Sequence, residues 1–275
     1  MNSPGGRHGR KIDESILFIQ FRKSIVMTTS IPQQQADDSL GQARSTIQAI
    51  NIPTDIPLQQ QTDAFFAQAK SQIPADLLQD LLSPIEQLIA SDAVEKALKE
   101  GAQAPDFTLP DALGNPVTLS HLLRQGPVVM SFYRGAWCPY CNLELRAYQR
   151  VLPQLQELGA SLVAISPQTP DHSLSLVEKQ QLTFPVLSDV GNRVAREYGL
   201  VFTIDEAVRA AHRRIGANLP AFNGDDSWEL PIAGTFLVDQ SGTIRLAFVD
   251  PDFSHRLDPS VVIARIKELK GKLAN

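Results

Sequence analysis

The sequence predicts an α/β domain preceded by a helical extension, and the distribution of apolar residues carries this prediction. From Gly101 to about Leu273, short apolar runs typical of buried strands alternate with stretches of helical periodicity. From Thr62 to Glu100, apolar residues fall at helical spacings. We therefore expect three segments: an N-terminal arm over residues 1–60, a helical extension over residues 61–100 and the α/β domain over residues 101–275.

The N-terminal arm is predicted to be flexible or weakly ordered, because it is rich in Gln, Ser, Thr and Pro. Its basic start includes the apolar run Ile16–Ile19, which is shorter than the about 7–15 residues of a signal-peptide core. The simpler interpretation is that the natural chain starts at Met27 and that residues 1–26 belong to an over-extended gene model. A signal peptide and an organelle transit peptide are the alternatives.

The helical extension is predicted to consist of two or three pieces, because Pro74 and Pro84 interrupt its periodic pattern. The apolar residues at helical spacings are Phe65, Phe66, Leu77, Leu78, Leu81, Leu82, Ile85, Leu88, Ile89, Val94 and Leu98. A helix with one apolar side buries that side against another surface. We expect the extension to pack on the α/β domain, with a homodimer contact as the alternative.

The α/β domain is predicted to begin with a hairpin, in which Phe107–Leu109 and Val117–Leu119 flank a turn. Val128–Tyr133 and Ser161–Ser166 have the continuous apolar character of central strands. The later predicted elements are a helix from Asp171, a strand over Phe184–Leu187, a helix over Asn192–Tyr198, a hairpin of Thr235–Asp239 with Thr243–Val249, and a closing helix over Pro259–Leu273. This alternation is typical of an α/β domain.

The only two cysteines of the chain, Cys138 and Cys141, lie where the first central strand meets a long predicted helix. That helix ends at Gly159, with a kink expected at Pro153. The sulfurs are therefore expected in the first helical turn, where free N–H groups and the helix dipole stabilise a thiolate. A Cys-X-X-Cys pair in this place indicates redox chemistry. An inert pair is one alternative, and a zinc site is another, although it would need further ligands.

Composition and charge exclude several classes of protein. The chain has 275 residues and a formal net charge of −5, so it offers no basic surface for nucleic acid or an anionic membrane. No apolar stretch approaches the roughly 20 residues needed to span a bilayer. Two cysteines are too few for a disulfide-stapled secreted scaffold, and a cytoplasmic location is expected.

Four segments together resemble one family of proteins. They are Ala104–Leu109, Phe132–Cys141, Phe184–Asp189 and Gly234–Gly242. On these segments the α/β domain resembles the peroxiredoxins, in particular the peroxiredoxin-like branch of the alkyl hydroperoxide reductase/thiol-specific antioxidant (AhpC/TSA) family. The resemblance implies a thioredoxin-like fold, with a central mixed sheet flanked by helices.

The resemblance leaves two assignments for the cysteine that reacts first. In peroxiredoxins the strand ends in Phe-Tyr and is followed by Pro, three residues, Thr or Ser, two residues and then the peroxidatic Cys. Counted from Phe132 and Tyr133, this pattern places the peroxidatic role on Cys141 and the Thr position on Cys138. In thioredoxin-like proteins the first Cys of Cys-X-X-Cys is the nucleophile, which would be Cys138. Glu144, three residues after Cys141, also fits the peroxiredoxin pattern, although its charge could simply favour the first helical turn.

The arginine that steadies the thiolate in many peroxiredoxins is missing from its expected position. That position, just before the late strand, holds Ala233. Arg134 stands where the family has Pro, seven residues before Cys141, and is the candidate to supply the guanidinium. An ordinary surface charge is the alternative for Arg134.

Two features outside the cysteine segment bear on the site. The five histidines of the chain are scattered, and we treat all of them as non-catalytic. Residues 203–230 exceed what a compact peroxiredoxin needs between its last helix and its late strand. They predict a short helix and a polar loop, which is either a solvated insertion or a border of the active site.

The resemblance implies a thiol-dependent peroxidase that reduces hydrogen peroxide and organic hydroperoxides to water and alcohols. A thiolate attacks the peroxide and becomes a sulfenic acid, and the second cysteine is the default group to resolve it as a disulfide. Thioredoxin, glutaredoxin or a small thiol would reduce that disulfide, and no metal, haem or flavin is required. The alternatives are a thiol-disulfide oxidoreductase acting on protein disulfides and a redox-sensing or scaffolding protein.

Overall fold

The computed structural model describes residues 50–273, and residues 1–49, with most of the predicted arm and Met27, lie outside the described residues. The strands of the described residues are β1 (Thr108–Pro110), β2 (Pro116–Thr118), β3 (Val128–Phe132), β4 (Ser161–Ser166), β5 (Val186–Ser188), β6 (Val201–Thr203), β7 (Glu229–Pro231), β8 (Gly234–Val238) and β9 (Ile244–Val249). The helices are α1 (Leu58–Lys70), α2 (Ala75–Ala90), α3 (Leu119–Leu123), α4 (Pro139–Glu157), α5 (Pro170–Gln180), α6 (Arg193–Glu197), α7 (Glu206–Arg214), α8 (Leu219–Asn223) and α9 (Pro259–Leu273). Within residues 50–273, none of the helices combines the length and apolar character needed to cross a membrane.

Five strands form a mixed sheet in the order β5, β4, β3, β8 and β9. The central strand β3 runs parallel to β4, with Val128 opposite Ser161, and antiparallel to β8, with Val128 opposite Val238. Every residue of β3 and β8 is buried, because both faces of the sheet are covered. The predicted central mixed sheet is therefore confirmed, and so are the hairpins that pair β1 with β2 and β8 with β9.

Successive side chains at the end of β3 enter the cores on opposite faces of the sheet. On one face, Tyr133 packs in the core that contains Tyr148 of α4. On the other face, the ring of Phe132 lies 5.0 Å from that of Tyr198 and 5.8 Å from that of Phe236, measured between centroids. This packing fixes the point at which the loop from β3 to α4 leaves the sheet.

The helical extension packs on the α/β domain through both of its helices. In α1, the ring of Phe65 meets that of Tyr140 edge to face, with the centroids 5.2 Å apart. In α2, Asp76 accepts a hydrogen bond from Nη2 of Arg214 in α7 at 3.0 Å. Both contacts lie within one chain.

The boundaries of the extension differ in three places from the sequence prediction. Helix α1 begins at Leu58, inside the stretch assigned to the arm, because Leu58 is buried and its backbone N–H donates to Asp258 Oδ2 at 2.9 Å. Pro84 lies within α2 without interrupting it. A proline in a helix removes one backbone hydrogen bond, and the burial of Pro84 and Ile85 offsets that loss. Residues 91–96 form turns instead of helix.

The insertion at residues 203–230 is an ordered unit with two helices, α7 and α8, where the sequence predicted one helix and a polar loop. It has its own apolar cluster, which consists of Ile204, Val208, Ala217, Leu219 and Leu230. The guanidinium groups of Arg209 and Arg213 lie over the ring of Trp228, at 5.4 and 4.8 Å from its centroid. Helix α7 also packs against α2, through the contact of Arg214 with Asp76.

Candidate active site

The loop between β3 and α4 is held in place by hydrogen bonds from several elements. Tyr133 N–H donates to the Ile165 carbonyl of β4 at 2.9 Å, and Ala136 N–H donates to Oε1 of the buried Gln168 at 2.6 Å. Asn142 Nδ2 donates back to the Ala136 carbonyl at 2.9 Å. The loop geometry is therefore established by the fold itself, which is what a preorganised site requires.

Gly135 allows this loop to turn beneath the indole ring of Trp137. Its φ of 148° lies in the region that side-chain-bearing residues rarely adopt. A Cβ at this position would lie 2.4 Å from Nε1 of Trp137. A larger residue would therefore displace Trp137, which is one of the walls of the site.

Both cysteines lie at the start of α4. Cys138 is the N-cap residue, Pro139 is the first helical residue and Cys141 follows in the first turn. Proline suits the first position because the N–H that it lacks would have no partner inside the helix. Both thiols are free and buried, with exposed fractions of 1% for Cys138 and 0% for Cys141. The helix continues through Pro153 to Glu157.

Arg134 lies in the site, next to Cys138. Its Nη1 lies 4.0 Å from Cys138 Sγ, and its side chain is held between two rings. The guanidinium carbon is 4.9 Å from the centroid of Trp137 and 4.2 Å from that of Phe253. Only 4% of Arg134 is exposed, so its charge acts on Cys138 with little screening by water.

A second arginine, Arg256, lies on the other side of the cysteine pair. Its Nη2 donates to Cys141 Sγ at 3.4 Å, and its Nε lies 3.1 Å from Oε2 of Glu144. Thr235 Oγ1 in β8 donates to Oε1 of the same carboxylate at 3.3 Å. The side chains of Arg256 and Glu144 are each 2% exposed. The pair is thus a buried ion pair with Cys141 as its neighbour.

The surroundings place the negative charge of the cysteine pair on Cys138. Burial by itself raises the pKa of Cys138, but the hydrogen bond with the Cys141 thiol and the charges of Arg134 and Arg256 lower that pKa to about 5. Burial and the adjacent Cys138 thiolate raise the pKa of Cys141 well above its ordinary value, although Arg256 opposes them. At neutral pH the pair therefore holds one thiolate, on Cys138, and one thiol, on Cys141.

The pH dependence of thiol reactivity follows from these two pKa shifts. Because the folded protein keeps Cys138 ionised down to a pKa of about 5, its reaction with a neutral alkylating agent should rise between about pH 4 and pH 6 and then stay level to pH 8. The thiolate absorbance near 240 nm should follow the same curve. A midpoint near the ordinary thiol pKa of about 8.5 would contradict this assignment.

A cavity of about 320 Å³ opens beside Cys138. Cys138, Arg134 and Trp137 line it, whereas Cys141 lies outside the lining. Exposed residues of the lining, including Lys179 and Gly216, mark the mouth of the cavity. A small molecule in this cavity would therefore lie next to Cys138 and away from Cys141.

His212 of the insertion also lines this cavity, although the sequence placed it in no catalytic arrangement. Its ring meets that of Trp137 edge to face at 4.9 Å, and its Nδ1 lies 2.8 Å from the Val208 carbonyl. Since a carbonyl can only accept, Nδ1 carries the proton. Burial and the charge of Arg134 lower the pKa of His212 to about 4, so the ring is neutral at pH 7. The insertion thus borders the cavity.

The structure brings the sequence-predicted site residues Cys138, Cys141, Arg134 and Glu144 into one cluster. Sequence reasoning missed Arg256, which is separated from Cys141 by 115 positions and belongs to no local motif. Its only signal in the sequence is Ala233, which stands where the family resemblance leads one to expect an arginine. Within residues 50–273, no group of three or more His, Cys, Asp or Glu side chains is arranged to hold a metal ion.

A comparison with models of protein families finds the AhpC/TSA family over residues 101–247. The chain belongs to the AhpC/TSA family. The match starts after α2 and ends before Phe253 and Arg256, so the helical extension and the second arginine lie outside it. Membership of the AhpC/TSA family supports thiol peroxidase chemistry at the level of the family.

Relatives and solved structures agree with this membership of the AhpC/TSA family. Peroxiredoxin Q of Sedum lineare chloroplasts is 28% identical over 166 residues, which are 60% of this chain and 76% of that protein. Peroxiredoxin Q of Gentiana triflora chloroplasts is 28% identical over 167 residues, or 61% of this chain and 66% of that protein. The crystal structure of peroxidoxin BcpB from Mycobacterium tuberculosis matches 62% of this chain and 97% of its own, with 25% identity and a TM-score of 0.50. The expected thioredoxin-like fold is therefore confirmed.

Proposed function

We propose that this chain is a thiol-dependent peroxidase in which Cys138 attacks the hydroperoxide and Cys141 resolves the product. One observation carries the assignment of roles: Cys138 lines the cavity beside Arg134, whereas Cys141 lies outside the lining. The lowered pKa of Cys138 and the raised pKa of Cys141 agree with these roles. In this proposal the first cysteine of the pair is the nucleophile, as in thioredoxin-like proteins, and not the second, as in the peroxiredoxin pattern. The family membership supports the peroxidase chemistry.

In the first step the Cys138 thiolate attacks the distal oxygen of ROOH. The S–O bond forms as the O–O bond breaks, and the leaving RO⁻ takes up a proton to become water or an alcohol. Cys138 becomes a sulfenic acid and is oxidised by two electrons. Arg134, whose Nη1 lies 4.0 Å from Cys138 Sγ, keeps the attacking sulfur ionised and offers N–H donors to the peroxide oxygens.

In the second step Cys141 attacks the sulfur of Cys138. Formation of the sulfenic acid removes the negative charge on Cys138 that holds the pKa of Cys141 high, so Cys141 ionises more readily once Cys138 has reacted. Arg256, with Nη2 3.4 Å from Cys141 Sγ, stabilises the new thiolate. The S–S bond forms, and the hydroxyl of the sulfenic acid leaves as water. The balance is ROOH plus two thiols giving ROH, water and one disulfide.

Recycling requires a donor of two electrons, for which we propose thioredoxin, glutaredoxin or a small thiol. A thiol-disulfide oxidoreductase is the second candidate, because Cys138 has the helix-cap position and low pKa of the attacking thiol in such enzymes. Cys138 is only 1% exposed, however, and a disulfide on a protein surface could reach it only after this segment opened. A small hydroperoxide fits within the cavity of about 320 Å³ that Cys138 lines, whereas a folded protein does not.

The experiment that separates the two candidates is intact-mass analysis of the reduced protein after one equivalent of cumene hydroperoxide, together with an insulin-reduction assay. A peroxidase should lose two hydrogen atoms per chain as it forms one disulfide, while releasing one equivalent of alcohol. It should reduce insulin no faster than dithiothreitol alone. Rapid insulin reduction, with a peroxide reaction no faster than that of free cysteine, would overturn the proposed function in favour of disulfide exchange.

A further inference from the structure

The cavity beside Cys138 is lined largely by apolar side chains, so its few polar atoms decide how a bound molecule is oriented. Helices α1 and α2 of the extension supply part of the apolar wall, including Phe66, Leu78 and Leu81. Arg134 contributes only hydrogen-bond donors, because a guanidinium cannot accept. A hydroperoxide also carries an O–H donor, and an O–H group that leaves water without finding an acceptor loses a hydrogen bond.

His212, in α7 of the insertion, offers an acceptor to this cavity. Its Nδ1–H donates to the Val208 carbonyl, one turn earlier in the helix, at 2.8 Å, which leaves the ring lone pair on Nε2. Among residues 50–273, no donor forms a hydrogen bond with that Nε2. Because the Nδ1 edge of the ring is turned to the backbone of its own helix, the cavity meets the rest of the ring, where Nε2 is the polar atom.

Contacts through Trp137 join His212 to the reacting part of the site. The ring of His212 lies 4.9 Å from that of Trp137, and the guanidinium carbon of Arg134 lies 4.9 Å from the same indole. Arg134 in turn lies beside Cys138. His212 is only 1% exposed, and its burial together with the charge of Arg134 keeps the ring neutral at pH 7. The site therefore combines the donors of Arg134 with an acceptor on His212.

The other polar residues of the lining are less suited to accept this hydrogen bond. Asn142 uses its Nδ2 as a donor within the loop, and its Oδ1 is enclosed by protein atoms. Ser175 is exposed, and its hydroxyl donates to a carbonyl of its own helix. Within residues 50–273, no hydrogen bond fixes the tautomer of His172. Among these described lining residues, His212 is the acceptor whose orientation is set by the fold.

We propose that His212 Nε2 accepts a hydrogen bond from the O–H of the bound hydroperoxide and so directs the terminal oxygen towards Cys138. This inference rests on the proposed function and adds to it a residue that touches the substrate. The S–O bond forms at the oxygen that carries this hydrogen, and the O–H bond remains intact as that of the sulfenic acid. His212 therefore gains and loses no proton, and the leaving RO⁻ takes its proton from solvent.

The substitution His212→Phe removes the acceptor while it keeps an aromatic ring against Trp137. Cys141 is replaced by serine in every protein compared, so that only Cys138 reacts. The second-order rate constant with hydrogen peroxide, measured by quenched-flow mass analysis, should fall at least about tenfold. His212→Gln, whose amide oxygen can take the place of Nε2, should recover part of this loss. The rate with methyl methanethiosulfonate, which needs the thiolate but brings no O–H, should stay within about twofold.

His172→Phe is the matched control, because it makes the same change in the wall of the same cavity, and it should leave both rates unchanged. An unchanged peroxide rate in His212→Phe would overturn the proposal. Equal slowing with both reagents would also overturn it, since the ring would then act on the thiolate and not on the O–H. If the parent protein reacted rapidly with methyl methanethiosulfonate but with hydrogen peroxide no faster than free cysteine, the proposed function itself would be refuted, and this inference with it.

Nitrogen-15 NMR of the reduced wild-type protein tests the acceptor without any turnover. The signals of His212 are assigned by their loss in His212→Phe. At pH 7, Nδ1 should be the protonated ring nitrogen and Nε2 the unprotonated one. A proton on Nε2 would overturn the proposal whatever the rates are, because a protonated Nε2 cannot accept a hydrogen bond.

Discussion

Replacing Cys138 by serine should reduce the rate of peroxide reduction by roughly a thousandfold or more, because it removes the only thiolate that lines the cavity. Replacing Cys141 by serine should leave the first step intact and stop the second. The Cys141→Ser protein should therefore consume one equivalent of hydroperoxide and then remain as a sulfenic acid at Cys138. Trapping with dimedone, followed by peptide mass spectrometry, measures where that sulfenic acid forms.

The two cysteine variants serve as controls for each other, since each keeps one thiol in the same buried environment. A dimedone adduct on Cys141 of the Cys138→Ser protein, formed at the wild-type rate, would contradict the assignment. Cys141 would then be the attacking cysteine, as in the peroxiredoxin pattern. The physical basis for expecting the opposite is the position of the sulfurs: Cys138 caps α4 beside Arg134, while Cys141 is screened from the cavity.

Replacing Arg256 by methionine should lower the free energy of unfolding by roughly 3–5 kcal/mol, because it leaves the buried carboxylate of Glu144 without its partner. It should also slow disulfide formation at Cys141, which loses the Arg256 Nη2 donor at 3.4 Å. Urea unfolding followed by circular dichroism measures the first effect. Quenched-flow mass analysis after peroxide addition measures the second.

A second substitution separates the charge of Arg256 from its shape. In the double variant Arg256→Met with Glu144→Gln, no buried charge remains unpaired, so much of the lost stability should return while disulfide formation stays slow. Arg256→Lys should recover the rate in part, since it keeps the charge but not the two-sided contact with Cys141 and Glu144. If Arg256→Met unfolded as readily as the wild type and formed the disulfide at the same rate, the ion pair would have no role.

Local sequence patterns were sufficient to predict the strand and the helix that position the cysteines. The continuous apolar run of β3 and the helical spacing after Pro139 are short-range signals, and they placed Cys138 and Cys141 in the first turn of α4. Proline was a weaker guide. Pro84, where the sequence predicted an interruption, lies inside α2, because burial of the surrounding side chains outweighs the loss of one hydrogen bond.

The sequence by itself determined that this is an α/β protein with a Cys-X-X-Cys pair at a helix start, because those features depend on neighbours a few positions apart. Only the tertiary structure decided which cysteine faces the cavity and which arginine contacts the other cysteine. Arg256 and Cys141 are 115 positions apart, and the cavity wall of α1 and α2 lies outside the region matched by the family. Such contacts arise from the packing of distant segments, which no local periodicity records.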